Sequence, residues 1–440
     1  MAAMLAATTS CIEDDFETSA SAQPKFSTDT LSLGDQFTEQ PTPTYSLRIL
    51  NPHSKQLNLS TVRMRDGSNF RINVDGASGS EFHDVEIRPN DSIYVFVEAT
   101  LPRTGANNTE LTDYLDVTVN GVTRSVVVTA NAVNVTRLNG VTLTANTTFT
   151  ADLPYVITDT LRVVPGVTPT LNPGTLLYFH DKAAMVVEGT LASNGTAEAP
   201  VRLRGDRTGN VVADIDYEVM SNQWEGVRFT STSTASTLSH TSIANMVQGV
   251  SLDSLATLTL VNSRIAYCGG SLLTAASGSQ LIALGSELSN AADALLRLGA
   301  ATCTVDRCTL ANWYLFSYPG LAIVELEDPE NTLADFSNTI IYGRGTPLND
   351  ADLTNLPIFF RRCLFAVEGT DDDNFIATLW DTDPLLEYSL TEYTFTYIPD
   401  AESPAIGAAD SGLNHPLLPE LDFHGRPRAL TLGAYAPLTD

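Results

Sequence analysis

The residues with the clearest capacity for recognition chemistry are aromatic. Trp313-Tyr314-Leu315-Phe316-Ser317-Tyr318 follows directly on Asn312. Aromatic faces are apolar but carry a quadrupole, so they stack on sugar rings and suit a polar ligand. Trp313, Tyr314 and Tyr318, together with Trp224 and Trp380 at predicted loop–strand junctions, are the candidate glycan-binding residues. The competing reading is that these rings cover a side of the fold and pack against insertions. Among carboxylates, Asp371-Asp372-Asp373 is the densest run, with Asp381 and Asp383 close behind. Such loops supply the oxygen ligands that Ca²⁺ takes. The run lacks EF-hand spacing, so a solvated acidic loop is the preferred reading. No cofactor is expected, and Ca²⁺ at Asp371, Asp372 and Asp373 is the alternative.

Catalytic chemistry is harder to place. A polysaccharide lyase needs a base for the proton α to a uronate carboxylate, and a glycoside hydrolase needs carboxylates a fixed distance apart. Lys182 is the one Lys after residue 138 and sits in a predicted turn. Arg297, Arg307, Arg361 and Arg362 can line a face, but Arg more often serves as an ion-pair partner. The six His are scattered, and no Gly-x-Ser-x-Gly elbow is present. No catalytic residue is assigned. Cys268, Cys303, Cys308 and Cys363 read as buried thiols, with a disulfide between neighbours as the alternative.

Composition narrows the partners. With 52 Asp+Glu against 24 Lys+Arg, the net charge is −28. A surface this acidic repels phosphate backbones and anionic headgroups, so neither nucleic acid nor a basic-patch membrane contact is expected. No stretch approaches the ~20 apolar residues of a spanning helix.

Periodicity supplies the elements that must position these residues. Between about 26 and 132, short runs alternate apolar and polar residues, as in Tyr45–Leu50, Ser92–Val97 and Leu115–Val119. Asp-Gly and Asn-Gly pairs at 66–67, 75–76 and 120–121 supply hairpin turns. This predicts an immunoglobulin-like β-sandwich. Asn51-Pro52, Phe70 to Ile72 and Pro89-Asn90-Asp91-Ser92 resemble the Hydin/choice-of-anchor type of that sandwich.

From 138 to 440 the chain is repetitive. A Ser, Thr or Cys followed two residues later by an aliphatic residue or Phe recurs at 241, 263, 286, 308, 339 and 363, at intervals of 22, 23, 22, 31 and 24. Those intervals fit one coil of a right-handed parallel β-helix, with both columns pointing inward. Asn245, Asn290 and Asn312, with Gly343, fall four residues after the first column and predict a partial Asn ladder. The longer interval contains Leu321–Leu326, read as an insertion. Met185-Val-Val-Glu-Gly-Thr-Leu191 and its flanking Pro-Gly turns resemble the first coils of pectin-lyase-like solenoids. Ser403–Asp410, Asp422–Arg428 and Leu432–Tyr435 resemble their closing segment, with Gly407 and Ala436 where Asp and Glu are common. The expected job of that segment is to cap the open end.

Small and apolar residues run up to Cys11, and the acidic Glu13-Asp14-Asp15 follows. This resembles the end of a lipoprotein signal and a surface-export tether, with residues 1–25 a leader remnant and flexible linker. As a whole the chain resembles Bacteroidetes surface lipoproteins with an N-terminal sandwich and a right-handed β-helix. That resemblance implies a bacterial outer-membrane, cell-surface location with membrane contact only through lipid on Cys11. It also implies a non-enzymatic role in binding a polysaccharide or an outer-membrane protein partner. A divergent polysaccharide lyase or glycoside hydrolase, and a structural or adhesion component, are the alternatives.

Overall fold

A computed structural model describes residues 15–212 and 215–438; the expected anchor Cys11 lies outside the described residues. The chain divides into two compact units between Val135 and Thr136. Apart from three short 3₁₀ turns, the regular structure among the described residues is β.

The first unit is a β-sandwich. Lys25–Phe26, Tyr45–Leu50, Ser92–Ala99, Phe70–Val74 and Ala77–Gly79 form one sheet in that spatial order. Thr30–Phe37, Val122–Val133, Asn108–Val119, Leu57–Met64 and Glu81–Phe82 form the other, with Val85–Ile87 also paired to Leu57–Met64. Period-two alternation aims one set of side chains inward, so Leu47, Ile49, Val62, Val95, Val117 and Val128 share one core. The long hairpin turns through Asn120 and Gly121, both at positive φ (51° and 77°), as a two-residue turn between twisted strands requires.

The second unit is a parallel β-helix. Its first sheet stacks ten strands, starting with Thr136–Leu138, Tyr155–Ile157, Leu176–Phe179, Val201–Gly205 and Thr241–Met246. Arg264–Cys268, Glu287–Ala291, Thr309–Asn312, Ile340–Gly343 and Leu364–Phe365 complete it. A second sheet of nine strands runs from Thr142–Leu143 to Thr346–Leu348, and a third of ten from Thr148–Phe149 to Phe375–Ile376. Parallel pairing aligns Ile243, Ile265, Leu288, Leu310, Ile341 and Phe365 into one buried column.

The Ser/Thr/Cys column also points inward, and its role is specific. The Thr241 amide donates to Ser263 Oγ (3.1 Å), Ser263 N to Ser286 Oγ (3.0 Å), Ser286 N to Cys308 Sγ (3.4 Å) and Cys308 N to Thr339 Oγ1 (3.3 Å). Each coil's side chain thus satisfies a buried amide of the preceding coil, which would otherwise go unpaired. The residue before each member turns the chain: His240, Asn262, Gly285, Arg307, Asn338 and Arg362 all have φ between 42° and 58°. The four Cys are free and buried, and loss of water pushes the Cys268, Cys308 and Cys363 thiols up to about 12. Packing, not reactivity, accounts for them.

Three expectations need correction. The Asn residues do not form a ladder. Asn245 Nδ2 donates to the carbonyls of Glu218 and Met220, Asn290 Oδ1 accepts from Tyr397 OH, and Asn312 Nδ2 donates to Ala291 O. Each has a different partner, on the 3₁₀ turn, the C-terminal hairpin and the neighbouring coil respectively. Leu321–Leu326 is no insertion, because Ala322–Asp328 is the second-sheet strand pairing with Leu296–Gly299. The extra length of that coil is split between 313–321, which holds no strand, and the acidic loop with its bulge at Asp328 and 3₁₀ turn Pro329–Asn331. The closing segment does not cap the solenoid end. Ala405, Leu432, Ala434 and Tyr435 cluster with Ala266, Ala311, Ile340 and Leu364, which belong to first-sheet strands. The segment therefore runs back along the outer side of that sheet, where small Ala266 and Ala311 allow close approach. Turn-column side chains hold it: Arg307 Nη1 donates to Thr431 O (2.5 Å), Asn338 Nδ2 to Asp410 O (3.0 Å), and Arg428 binds Asn262.

The end itself is closed by Trp380, stacked on Phe365 with ring centroids 5.0 Å apart. Gly369 makes room for it, since a Cβ there would lie 2.3 Å from the indole.

Candidate functional site

On the outer side of the first sheet, a cavity of about 230 Å³ opens over the strands Val201–Gly205, Thr241–Met246 and Arg264–Cys268. Its origin is legible in the register. Arg202, Ser242 and Arg264 are aligned across three adjacent strands. Ser242 and Ala244 on the middle strand are small, so the flanking arginines stand over a recess. Strand spacing puts Arg202 and Arg264 about 10 Å apart at the backbone, with Arg204 about 7 Å along from Arg202. One wall is the 3₁₀ turn Tyr217–Val219, contributing Glu218 and Val219; Phe423 and Tyr267 also line the space.

The wall is pinned from beneath. Gln223 Nε2 donates to Tyr217 O (2.6 Å), and Asn245 Nδ2 reaches the same turn through Glu218 O (2.8 Å). Tyr267 sits at φ 58°, a left-handed kink that breaks the strand's alternation beside the cavity.

The charge balance is unusual for this chain. The lining holds the guanidinium groups of Arg202, Arg204 and Arg264 and one carboxylate, Glu218. Arg204 is paired with Glu218. Arg264 Nε is paired with Glu287 at 2.8 Å, behind the cavity. Burial opposes the charge on Arg264, but the adjacent Glu287 overcomes it and holds the pKa well above the usual range. Arg202 is exposed and forms no ion pair among the described residues. Arg204 Nε and Asn245 Oδ1 are buried without a hydrogen-bond partner among the described residues. With Arg204 held by Glu218 and Arg264 by Glu287, the site keeps one guanidinium in excess, Arg202, within a chain of net charge −28.

The aromatic candidates fare differently. Trp224 is 0% exposed, stacked on Phe179 at 4.1 Å, with Nε1 donating to Ala244 O at 2.7 Å. Tyr314 is buried and donates to Ser221 Oγ. Trp313 is half-buried and stacked on Tyr388 at 4.8 Å, because the hairpin formed by Leu386–Ser389 and Thr394–Pro399 folds over its loop. Trp380 is committed to the solenoid end. These four rings are packing residues, their faces taken by other protein rings or by the core. Tyr318 alone of the five is exposed, at 56%.

Tyr318 borders a second cavity, with Asp293, Arg297 and Glu325. Arg297 Nη2 touches Asp293 at 2.7 Å and Glu325 at 2.8 Å, placing the two carboxylates within the ~5–5.5 Å of a retaining glycosidase pair. The guanidinium nitrogen lies between them, where a scissile bond would have to sit. Ion pairing explains the cluster.

The acidic run does not converge either. Asp371 Oδ1 accepts from Trp380 Nε1 (3.1 Å) and Thr378 N (3.2 Å), and Asp372 Oδ1 accepts from Asn374 N (2.7 Å) and Phe375 N (2.9 Å). These carboxylates cap turns around the closing Trp380, and no group of three or more metal-binding side chains occurs among the described residues.

No family model matches the chain, and no curated protein matches it. Among solved structures, a family 123 glycoside hydrolase from Clostridium perfringens, studied for glycolipid glycan hydrolysis, aligns at 10% identity with a TM-score of 0.18. The alignment covers 25% of each chain and carries no argument about this one.

The cavity arginines escaped sequence reasoning, although a signal existed. Arg202 and Arg204 alternate within Val201-Arg-Leu-Arg-Gly205, and Arg264 fills the variable position of the repeated motif. Aligning coils by register places them on one outward face.

Proposed function

We propose that the β-helix binds an acidic saccharide, non-enzymatically, in the first-sheet cavity. One observation carries the reading: three arginines line a single recess on an acid-rich chain, and Arg202 forms no ion pair among the described residues. Planar guanidinium matches a carboxylate bidentately, and the half-buried Phe423 borders the recess as an apolar edge for the sugar. The volume is below the ~300–1,000 Å³ of drug-sized pockets, which suits one ring or a chain end. Binding is favoured over turnover because hydrolysis calls for a carboxylate pair, and the lining carries Glu218 alone, already tied to Arg204.

Titration with oligogalacturonate and its carboxyl-reduced form tests this. The acidic oligomer is expected to bind, weakening with salt, and the reduced form to bind at least about tenfold more weakly, since charge-assisted hydrogen bonds are lost. Equal binding of the two would remove the arginines from the account.

The same proposal keeps the protein on a bacterial outer-membrane surface through lipid on Cys11, as the sequence resemblance implies. In cell fractionation, Cys11→Ala is expected to move the protein from membrane to soluble fraction. Retention in the membrane would place the anchor elsewhere.

A further inference from the structure

We propose that the N-terminal sandwich carries a separate saccharide site, for a neutral oligosaccharide, on the outer face of Ser92–Ala99. Alternation along this strand buries Ile93, Val95, Val97 and Ala99 and turns Tyr94 and Phe96 outward. Tyr94 is 50% exposed and Phe96 37%. Their rings lie 5.8 Å apart at an interplanar angle of 16° and stack on one another, which holds both in place on the outer face. Solvent-facing positions of an antiparallel sheet ordinarily carry polar side chains.

The surroundings are polar and pre-ordered. Register sets Arg48 opposite Tyr94, and Ser46 and Asn73 on either side of Phe96. Glu98, two residues on, accepts from Thr44 Oγ1 (2.6 Å) and Arg71 Nε (3.2 Å), and Asn73 Nδ2 donates to Ser78 Oγ (3.1 Å). Thr44, Arg71, Asn73, Ser78, Phe96 and Glu98 border a cavity of about 720 Å³, room for more than one sugar ring.

This chemistry selects the occupant. Aromatic faces flanked by an amide, hydroxyls, a guanidinium and a carboxylate match a ligand with apolar C–H faces and many hydroxyls. Arg71 and Glu98, the charged residues that border the cavity, pair with each other at 3.2 Å, so the cavity lining carries no net charge, unlike that of the solenoid cavity.

The test is affinity electrophoresis of the full chain through native gels holding hydroxyethyl cellulose, xyloglucan, galactomannan or arabinoxylan. At least one is expected to retard the protein. Tyr94→Ala and Phe96→Ala are each expected to weaken that binding about tenfold, as loss of an aromatic contact does, and Arg202→Ala to leave it unchanged. Both rings are exposed, and an unchanged melting midpoint confirms folding. Absence of retardation in all four gels, or retardation that survives either substitution, overturns the proposal. So does a dimer that Tyr94→Ala converts to monomer in sedimentation, which would make the face a self-association surface.

Discussion

Glu287→Ala is expected to destabilise the solenoid by about 3–5 kcal/mol, the cost of leaving one partner of a buried ion pair alone. Glu287 is 1% exposed. Its carboxylate accepts from Arg264 Nε (2.8 Å), Ser289 Oγ (2.5 Å) and Tyr435 OH (2.5 Å). Removing it strands a guanidinium, a phenol and a hydroxyl together beneath the C-terminal segment. The same change would loosen that segment, since Tyr435 is one of its anchors. Asp253→Ala offers the contrast: its partner Arg228 is 62% exposed on the side chain, and exposed pairs contribute about 0–1 kcal/mol. Guanidinium chloride denaturation reads both, as a shift of midpoint at constant slope. A loss below about 1 kcal/mol for Glu287→Ala would mean that water reaches the pair.

Trp224→Ala is expected to cost a similar 3–5 kcal/mol, as large aromatic truncations in cores do. The indole fills the solenoid interior against Phe179 and satisfies Ala244 O. Its loss opens a void and orphans a carbonyl on the strand that floors the arginine cavity. Tyr318→Ala, at an exposed position, is expected to stay within about 0.5 kcal/mol. If the Trp224 variant proved as stable as the parent, the ring would be free for a ligand after all.

The architecture was legible because a solenoid repeats its rules. Of the six recurring Ser, Thr or Cys residues, Ser263, Ser286, Cys308 and Thr339 meet the same demand, a buried amide in the neighbouring coil, so the column survives in sequence. The aromatics misled for the opposite reason. Trp313 follows an Asn turn and leaves the coil as expected, but the hairpin that covers it begins more than 70 residues later, at Leu386. Nothing local encodes that return. The C-terminal segment was misplaced likewise: its motifs are recognisable, yet its contacts are to Asn262, Arg307 and Asn338, far back in the chain. The arginine cavity needs both kinds of knowledge, the register that aligns Arg202 with Arg264 and the long-range placement of Phe423.

If this cavity reads negative charge, Arg202 is the residue that probes it most directly. Arg202 is exposed and forms no ion pair among the described residues, so Arg202→Glu is expected to leave the melting midpoint unchanged. Calorimetric titration with oligogalacturonate is then expected to show binding by the parent chain and at least about tenfold weaker binding by the variant, because one charge-assisted contact becomes a repulsion. Undiminished affinity in the folded Arg202→Glu variant would contradict the account.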